Sequence, residues 1–184
     1  MRVITGKYKG RKLTPPADTN IRPTSERTRE SIFNLLMHGQ FGGEQIREQR
    51  VADICCGTGA LGIEALSRGA THCVFVDQAK SGLELARSNV AALGATSEAT
   101  FLLSDANNLP KASEPCALIM IDPPYDVNIM PRVAESLLAN GWVKQGSILV
   151  IEVRFTTDIP ELPGYTLLME RGYGKAKILI WEAV

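Results

Sequence analysis

Five short apolar runs, separated by segments of helical pattern, constrain the fold of this chain most. Such continuous runs are typical of a parallel sheet that is covered on both faces. The runs are Val51–Cys55, Cys73–Val76, Thr100–Leu103, Ala117–Ile121 and Ser147–Val153. The helical patterns between them are about Ala60–Arg68, Ser81–Leu93 and Ile129–Leu138. The alternation predicts an α/β protein, and Tyr165–Glu170 with Ala176–Trp181 predicts an antiparallel hairpin at the sheet edge.

The N-terminal part of the chain departs from this alternation and is basic. Val3–Tyr8 and Gly10–Leu13 predict a small hairpin, and after a proline-containing linker a helix capped by Thr24 or Ser25 should run to about His38. Residues 1–30 hold eight lysines and arginines against three acids, whereas the rest of the chain holds twelve against seventeen. This asymmetry indicates a docking surface for a polyanion, with an ordinary solvated hairpin as an equally good interpretation of the charge alone.

The composition indicates one globular domain. The chain has 184 residues, of which 45% are hydrophobic and 22% charged. No apolar stretch reaches the roughly 20 residues of a membrane span, and no signal-peptide core follows Met1, so we expect a cytoplasmic protein, with no feature that demands more than a monomer. The cysteines lack metal-binding spacing, so we expect no metal site and no disulfide framework. They are Cys55, Cys56, Cys73 and Cys116.

A glycine-rich turn after the first apolar run predicts a binding site for an adenosine-containing ligand. The segment Gly57-Thr58-Gly59-Ala-Leu-Gly62 has the G-x-G-x-x-G spacing, in which missing β-carbons allow a ligand to approach the backbone. Asp77 follows at the end of the second run, where a carboxylate can accept hydrogen bonds from both hydroxyls of a ribose. The pattern fits NAD, FAD or S-adenosylmethionine. A structural turn and, for Asp77, a helix cap are the alternatives.

Further residues at the ends of these runs extend the predicted site. Asp53 adds negative charge below the turn and favours a cationic ligand, with a buried ion pair as the alternative. Asp105 and Ala106 follow the third run, where an adenine amino group would be recognised. The candidate cofactor-binding residues are therefore Asp53, Cys55, Gly57, Thr58, Gly59, Asp77, Gln78, Asp105 and Ala106.

The segment Asp122-Pro123-Pro124-Tyr125 after the fourth run carries the candidate chemistry. The carboxyl ends of the strands form the ligand crevice of an open α/β sheet, so this segment should face the glycine turn. The Asp122 carboxylate and the Pro123 carbonyl can accept both N–H bonds of a planar amine, and Tyr125 offers a stacking surface. Positive charge develops on such an amine as it attacks a sulfonium methyl, and a carboxylate stabilises that charge. An ordinary Pro-Pro turn is the alternative.

Together these motifs resemble a known family. The sequence is similar to the RsmD family of bacterial 16S ribosomal RNA guanine-N2 methyltransferases. The resemblance spans nearly the whole chain. It lies in Asp53-Ile-Cys-Cys-Gly57-Thr-Gly59-Ala-Leu-Gly62, in Asp122-Pro-Pro-Tyr125, and in the N-terminal Gly6-Lys-Tyr-Lys-Gly10-Arg11-Lys-Leu13, Arg22-Pro23-Thr24 and Arg27-x-Arg29-Glu30-x-x-Phe33-Asn34.

The resemblance implies a Rossmann-like class I fold that uses S-adenosylmethionine, with a mostly parallel seven-stranded sheet, an antiparallel C-terminal hairpin and a small N-terminal β-hairpin extension. It implies methylation of a guanine N2 amine, at family position 966 of 16S ribosomal RNA, in the small subunit or its assembly intermediate. Residues 1–24 would form a basic RNA-docking extension and residues 25–184 the methyltransferase domain. The candidate RNA-binding residues are Lys7, Lys9, Arg11, Lys12, Arg22, Thr24 and Arg27.

One departure and three rival functions accompany this interpretation. Cys55-Cys56 stands where such proteins more often have an aromatic or aliphatic residue followed by alanine, and the thiols suggest a turn that is sensitive to oxidation. The first rival is methylation of an adenine N6 amine or a protein glutamine amide, for which Asn instead of Asp122 is usual. An NAD-dependent oxidoreductase would need a catalytic residue that neither His38 nor His72 supplies. A non-catalytic RNA-binding protein would show a degraded pocket.

Overall fold

The computed structural model describes residues 1–16, 26–38, 41–123 and 129–184. Within these residues the chain forms four α-helices and seven strands, with single 3-10 turns at Thr96–Glu98 and Ala106–Asn108. In chain order the elements are α1 (Glu26–Met37), β1 (Arg50–Ile54), α2 (Ala60–Ser67), β2 (His72–Asp77), α3 (Lys80–Ala92), β3 (Ala99–Leu103), β4 (Leu118–Ile121), α4 (Met130–Ala139), β5 (Ile148–Arg154), β6 (Tyr165–Tyr173) and β7 (Ala176–Ala183).

One seven-stranded sheet in the order β3-β2-β1-β4-β5-β7-β6 organises the fold. The first five strands of this order are parallel, whereas β7 is antiparallel to both β5 and β6. Ile54 at the end of β1 pairs with Val76 of β2 and with Ile121 of β4, so the chain leaves these three strands at one edge of the sheet. The predicted mostly parallel sheet with an antiparallel C-terminal hairpin is confirmed.

The core has two layers, one on each face of the sheet. Helices α1, α2 and α3 cover one face through residues such as Phe33, Leu66 and Val90, and α4 covers the other through Val133 and Leu137. Burying an apolar side chain of this size contributes roughly 1.5–3 kcal/mol, so two apolar layers hold the strand ends in place. Among the described helices, none combines the length and the apolar content that crossing a bilayer would take.

The N-terminal segment has less strand pairing than the predicted hairpin, and it packs against the core. Its antiparallel ladder is a single bridge between Arg2 and Lys12, and residues 5–10 form turns instead of the predicted strand. These residues bind α2 instead, because the N–H of Lys7 donates to the carbonyl of Ser67 at 2.8 Å, and a β-carbon on Gly6 would collide with that carbonyl oxygen. Val3 and Leu13 are buried in the same apolar cluster as α1, α2 and α3. The predicted boundary at residue 24 and the cap at Thr24 or Ser25 lie outside the described residues.

Candidate active site

The glycine turn leaves β1 through two residues of left-handed backbone. Cys55 has φ 60° and Gly57 φ 49°. The strand geometry ends there, although the Cys56 N–H still donates to the Val76 carbonyl at 3.0 Å. A β-carbon on Gly57 would meet no atom within 4 Å, so the space over this glycine is open. Open space over a glycine with positive φ is what close approach of a ligand requires.

The other two glycines of the turn pack against the protein. A β-carbon on Gly62 would lie 2.4 Å from Cε1 of Phe75 and 2.6 Å from Sγ of Cys73, so this glycine lets α2 approach β2. Gly59 has φ 75°, and its β-carbon would lie 3.1 Å from that of Ala86 on α3. The three glycines therefore have separate functions, and only the first faces open space.

Asp53 lies beneath the turn and is buried. Its Oδ2 accepts the N–H of Gly62 at 2.8 Å, so its partner is a backbone amide of α2. Burial raises the pKa of the Asp53 carboxyl well above its usual value, the Gly62 hydrogen bond lowers it, and the charges of Asp122 and Asp77 raise it further. Asp53 thus fixes the start of α2 with respect to β1. Its predicted contact with the cofactor stays a prediction.

Asp77 joins the turn to the start of α3. Its Oδ2 accepts the N–H of Gly57 at 2.8 Å, and its Oδ1 accepts the N–H of Ala79 at 2.8 Å. Gly82 leaves room for the carboxylate, because a β-carbon there would lie 3.1 Å from Oδ2. Each carboxylate oxygen has a second lone pair for a further donor. Asp77 therefore positions the turn and also has the capacity to accept ligand hydroxyls, and Gln78 beside it is exposed.

The end of β3 adjoins Asp77. The Ser104 N–H donates to the Asp77 carbonyl at 3.0 Å, which holds the two strand ends together. Asp105 is exposed, and its Oδ1 accepts the N–H of Asn107 at 2.9 Å at the start of the 3-10 turn. Ala106 is buried. Asp105 and Ala106 thus lie at the same sheet edge as the glycine turn, and their contact with a cofactor stays a prediction.

Asp122 and Pro123 follow β4 directly beside the end of β1. The Asp122 N–H donates to the Ile54 carbonyl at 3.4 Å, and the residue is half-buried, while Pro123 is buried. The predicted catalytic residues Pro124 and Tyr125 lie outside the described residues. The part of the predicted base site that the structure describes therefore adjoins the predicted cofactor turn.

Negative charge converges on this turn. Burial raises the pKa of the Cys55 thiol to about 12, and the charges of Asp77, Asp53, Asp122 and Asp105 raise it in addition. Burial also raises the pKa of Cys56 far above its usual value. The thiol and not the thiolate is then the stable form of both residues, which opposes the suggested sensitivity to oxidation. In the described part of the chain, no cluster of histidine, cysteine and acidic side chains has metal-binding geometry.

The predicted RNA-binding residues differ in their contacts. Lys7 Nζ lies 2.6 Å from Oε2 of Glu98, and Arg11 Nη2 donates to the Ala92 carbonyl at 2.7 Å at the end of α3. The others that the structure describes, Lys9, Lys12 and Arg27, are exposed, whereas Arg22 and Thr24 lie outside the described residues.

Sequence reasoning missed a buried network that attaches the N-terminal segment. Glu64 of α2 is fully buried, and its carboxylate accepts the N–H groups of Ile4 at 2.8 Å and Thr5 at 3.0 Å. Arg68 donates to it at 2.8 Å, and Nε of the buried Arg29 of α1 lies 3.9 Å away. In the sequence, the only sign of this network is that Glu64 lies inside an otherwise apolar helical segment.

Asn89 of α3 was missed as well. This buried side chain donates to the Thr58 carbonyl at 3.0 Å and accepts the Thr14 N–H at 2.8 Å. It therefore links the glycine turn to the N-terminal segment. Nothing in its local sequence marks it.

The strand order, with a glycine-rich turn after β1, defines the class I methyltransferase fold. A putative methyltransferase from Escherichia coli, yhhF, has this fold with a TM-score of 0.85 and 28% identity, covering 100% of this chain and 97% of its own. The family described as conserved hypothetical protein 95 matches residues 1–182. The chain therefore belongs to that family, the RsmD family.

Two relatives have similar sequences along nearly their whole length. The putative rRNA methyltransferase YlbH of Bacillus subtilis is 32% identical over 187 residues, which cover 99% of this chain and 98% of YlbH. The ribosomal RNA small subunit methyltransferase D of Escherichia coli K12 is 27% identical over 183 residues, which cover 99% of this chain and 89% of the relative.

Proposed function

We propose that this protein transfers the methyl group of S-adenosylmethionine to the exocyclic N2 amine of a guanine in 16S ribosomal RNA, in the cytoplasm. The observation that carries the proposal is the hydrogen bond from the Asp122 N–H to Ile54, which places Asp122 and Pro123 beside the end of β1, three residues before Gly57 and its open space. The substrate class is supported by the relatives of the family, whose names include rRNA methyltransferase and ribosomal RNA small subunit methyltransferase D.

The cofactor turn fits a ligand that is an adenosine with positive charge. The space over Gly57 admits a ligand to the backbone, and Asp77 has lone pairs for ribose hydroxyls. The carboxylates around Cys55 attract a sulfonium and an ammonium group and would repel a pyrophosphate. When bound, S-adenosylmethionine supplies a methyl group to which the amine nitrogen bonds as the carbon–sulfur bond breaks, leaving S-adenosylhomocysteine and a proton.

Asp122 would orient the guanine amine and stabilise the charge that develops on it. A guanine N2 amine is a weak nucleophile because its lone pair is delocalised into the ring. Two acceptors, the Asp122 carboxylate and the Pro123 carbonyl, would bind its two N–H groups and direct the lone pair out of the ring plane. The negative charge of Asp122 would stabilise the positive charge that develops on nitrogen, an effect larger in the transition state than in the ground state.

The target base must reach this site unpaired. An amine within a duplex is inaccessible, so the guanine has to be single-stranded or flipped out, which costs a few kcal/mol. Contacts to the neighbouring phosphates would offset this cost. Of the basic residues predicted for this purpose, Lys9, Lys12 and Arg27 are exposed and available.

The test is to identify the methylated nucleoside. Methyl-labelled S-adenosylmethionine is incubated with the protein and either small ribosomal subunits or naked 16S RNA from cells that lack the homologous enzyme, and the digested RNA is chromatographed. Label in N2-methylguanosine supports the proposal. Label in N6-methyladenosine, or in protein instead of RNA, would reject the guanine target and favour the corresponding rival amine.

A further inference from the structure

The C-terminal hairpin extends past the candidate base site. Ile121, the last residue of β4, pairs with Ile151, but β5 continues to Arg154, where it pairs with β7. At about 3.3 Å per residue, these three further residues project roughly 10 Å beyond β4. The turn at Gly174 between β6 and β7 lies at this same edge, because β7 is antiparallel to β5. Residues 152–155 and 170–177, here called the hairpin wall, therefore stand beside Asp122.

The hairpin wall carries excess positive charge. Its charged residues are Arg154, Arg171, Lys175, Lys177, Glu152 and Glu170. Lys177 Nζ lies 2.9 Å from Oε1 of Glu170, so these two neutralise each other. With four bases and two acids in all, the wall has a net charge of +2. A polyanion would be attracted to the wall and repelled by the turn.

Aromatic side chains accompany this charge. Phe155 is 58% exposed although it follows directly on β5, and its N–H donates to the Lys175 carbonyl at 2.9 Å. Its ring covers Gly172, since a β-carbon there would lie 2.9 Å from Cε2 of Phe155. A second aromatic group lies in β6, where the guanidinium carbon of Arg171 is 5.8 Å from the centroid of the Tyr173 ring.

The two aromatic groups lie on opposite faces of the sheet. Gly172, which Phe155 covers, pairs with Lys177, whereas Arg171 pairs with Ile178 on the face of the α1–α3 layer. A nucleic-acid strand that passes over this edge of the sheet would therefore contact both groups. Tyr173 is half-buried and Phe155 is exposed. An exposed ring with cations beside it is an arrangement that binds single-stranded nucleic acid, because every base has a face that can stack.

We propose that the hairpin wall binds the single-stranded RNA next to the methylated base. Phe155 stacks on an unpaired base, and Arg171 and Lys175 bind phosphates. This surface is separate from the basic N-terminal segment, and it rests on the proposed function, because the RNA must enter beside Asp122.

The charge contribution is tested with a matched pair of double variants. Arg171→Glu with Lys175→Glu reverses two cations of the wall, and Lys111→Glu with Lys144→Glu reverses two exposed lysines at the opposite edge of the sheet. Binding of a fluorescent single-stranded oligoribonucleotide of mixed sequence is measured by anisotropy at several salt concentrations. The wall variant should lower the slope of log Kd against log salt by about 1.4. At about 0.1 M salt, its Kd should be roughly 25-fold higher than that of the original protein. The control should change neither.

The stacking contribution is tested at one position. Phe155→Leu keeps an apolar side chain over Gly172 but removes the aromatic face, and Phe155→Tyr keeps both. We expect Phe155→Leu to bind the oligoribonucleotide roughly tenfold more weakly and Phe155→Tyr to bind it as the original protein does. The same pattern should appear in KM for small ribosomal subunits, with the affinity for S-adenosylmethionine unchanged.

The outcomes separate this surface from the proposed function. If the original protein methylates small subunits but the wall variants match the lysine control in Kd, salt slope and KM, the wall is not an RNA-binding surface and the methyltransferase assignment stands. If the original protein neither binds RNA nor methylates subunits, both proposals fall. Equal melting temperatures of all variants establish that any loss is not a loss of folding.

Discussion

Removal of the charge of Glu64 should destabilise this protein more than any ordinary surface change. In Glu64→Gln, the N–H groups of Ile4 and Thr5 lose a charged acceptor, and the buried Arg29 loses its counterion. Burial lowers the pKa of Arg29, whereas the charge of Glu64 raises it, so the guanidinium depends on this carboxylate. Breaking a buried ion pair at one partner costs about 3–5 kcal/mol.

The assay is thermal unfolding against a matched exposed glutamate. For a chain of this length, the loss corresponds to a fall in Tm of roughly 10 °C. The control is Glu84→Gln on α3, whose carboxylate lies 3.7 Å from Lys80 Nζ with both side chains largely exposed, and it should leave Tm unchanged. Amide exchange at Ile4 and Thr5 should accelerate only in Glu64→Gln. Equal Tm values for the two variants would refute a stabilising role of the buried network.

Two further predictions concern the glycine turn. Gly62→Ala places a β-carbon 2.4 Å from Cε1 of Phe75 and should cost about 1–3 kcal/mol in urea unfolding. Gly57→Ala places a β-carbon that meets no atom within 4 Å, so it should cost about 1–2 kcal/mol for its positive φ and mainly weaken cofactor binding. An unfolding midpoint of Gly62→Ala equal to that of the original protein, or an unchanged cofactor affinity of Gly57→Ala, would contradict this. Because the pKa of Cys55 is raised to about 12, the thiolate is scarce at neutral pH. Its alkylation by iodoacetamide should be far slower than that of free cysteine at about pH 8 and rise about tenfold per pH unit up to about pH 12, and a rate plateau near pH 9 would show that the thiol is unperturbed.

The sheet could be predicted from the sequence because its signals are local. The run Val51–Cys55 is apolar apart from Asp53 because β1 is covered on both faces. In the turn that follows, Gly59 and Gly62 pack closely against neighbouring elements, and the space over Gly57 is open. The position of Asp122 near the glycine turn could be predicted because the carboxyl ends of parallel strands lie at one edge of the sheet, where ligands bind.

The N-terminal segment could not be predicted because its contacts are distant in sequence. The alternation in Val3–Tyr8 indicates a strand, but the N–H groups of Ile4 and Thr5 bind Glu64, and the N–H of Tyr8 binds Oγ of Ser67 at 3.0 Å. These partners lie about sixty residues away along the chain. The charge count likewise hid that Lys7 is paired with a glutamate, so net charge overstated the cations that are available to RNA.

A comparison of single-turnover rates between the original protein and Asp122→Ala tests the central claim most directly. Methyl transfer to small ribosomal subunits is measured at saturating S-adenosylmethionine, with the Kd of the cofactor determined on the same samples and Asp158→Ala, an exposed aspartate in the loop after β5, as the control. We predict a loss of roughly 100- to 1,000-fold in the rate for Asp122→Ala, a far smaller change in the Kd of the cofactor, and no loss for the control. An undiminished rate in Asp122→Ala would contradict the assignment of this residue to the reacting amine.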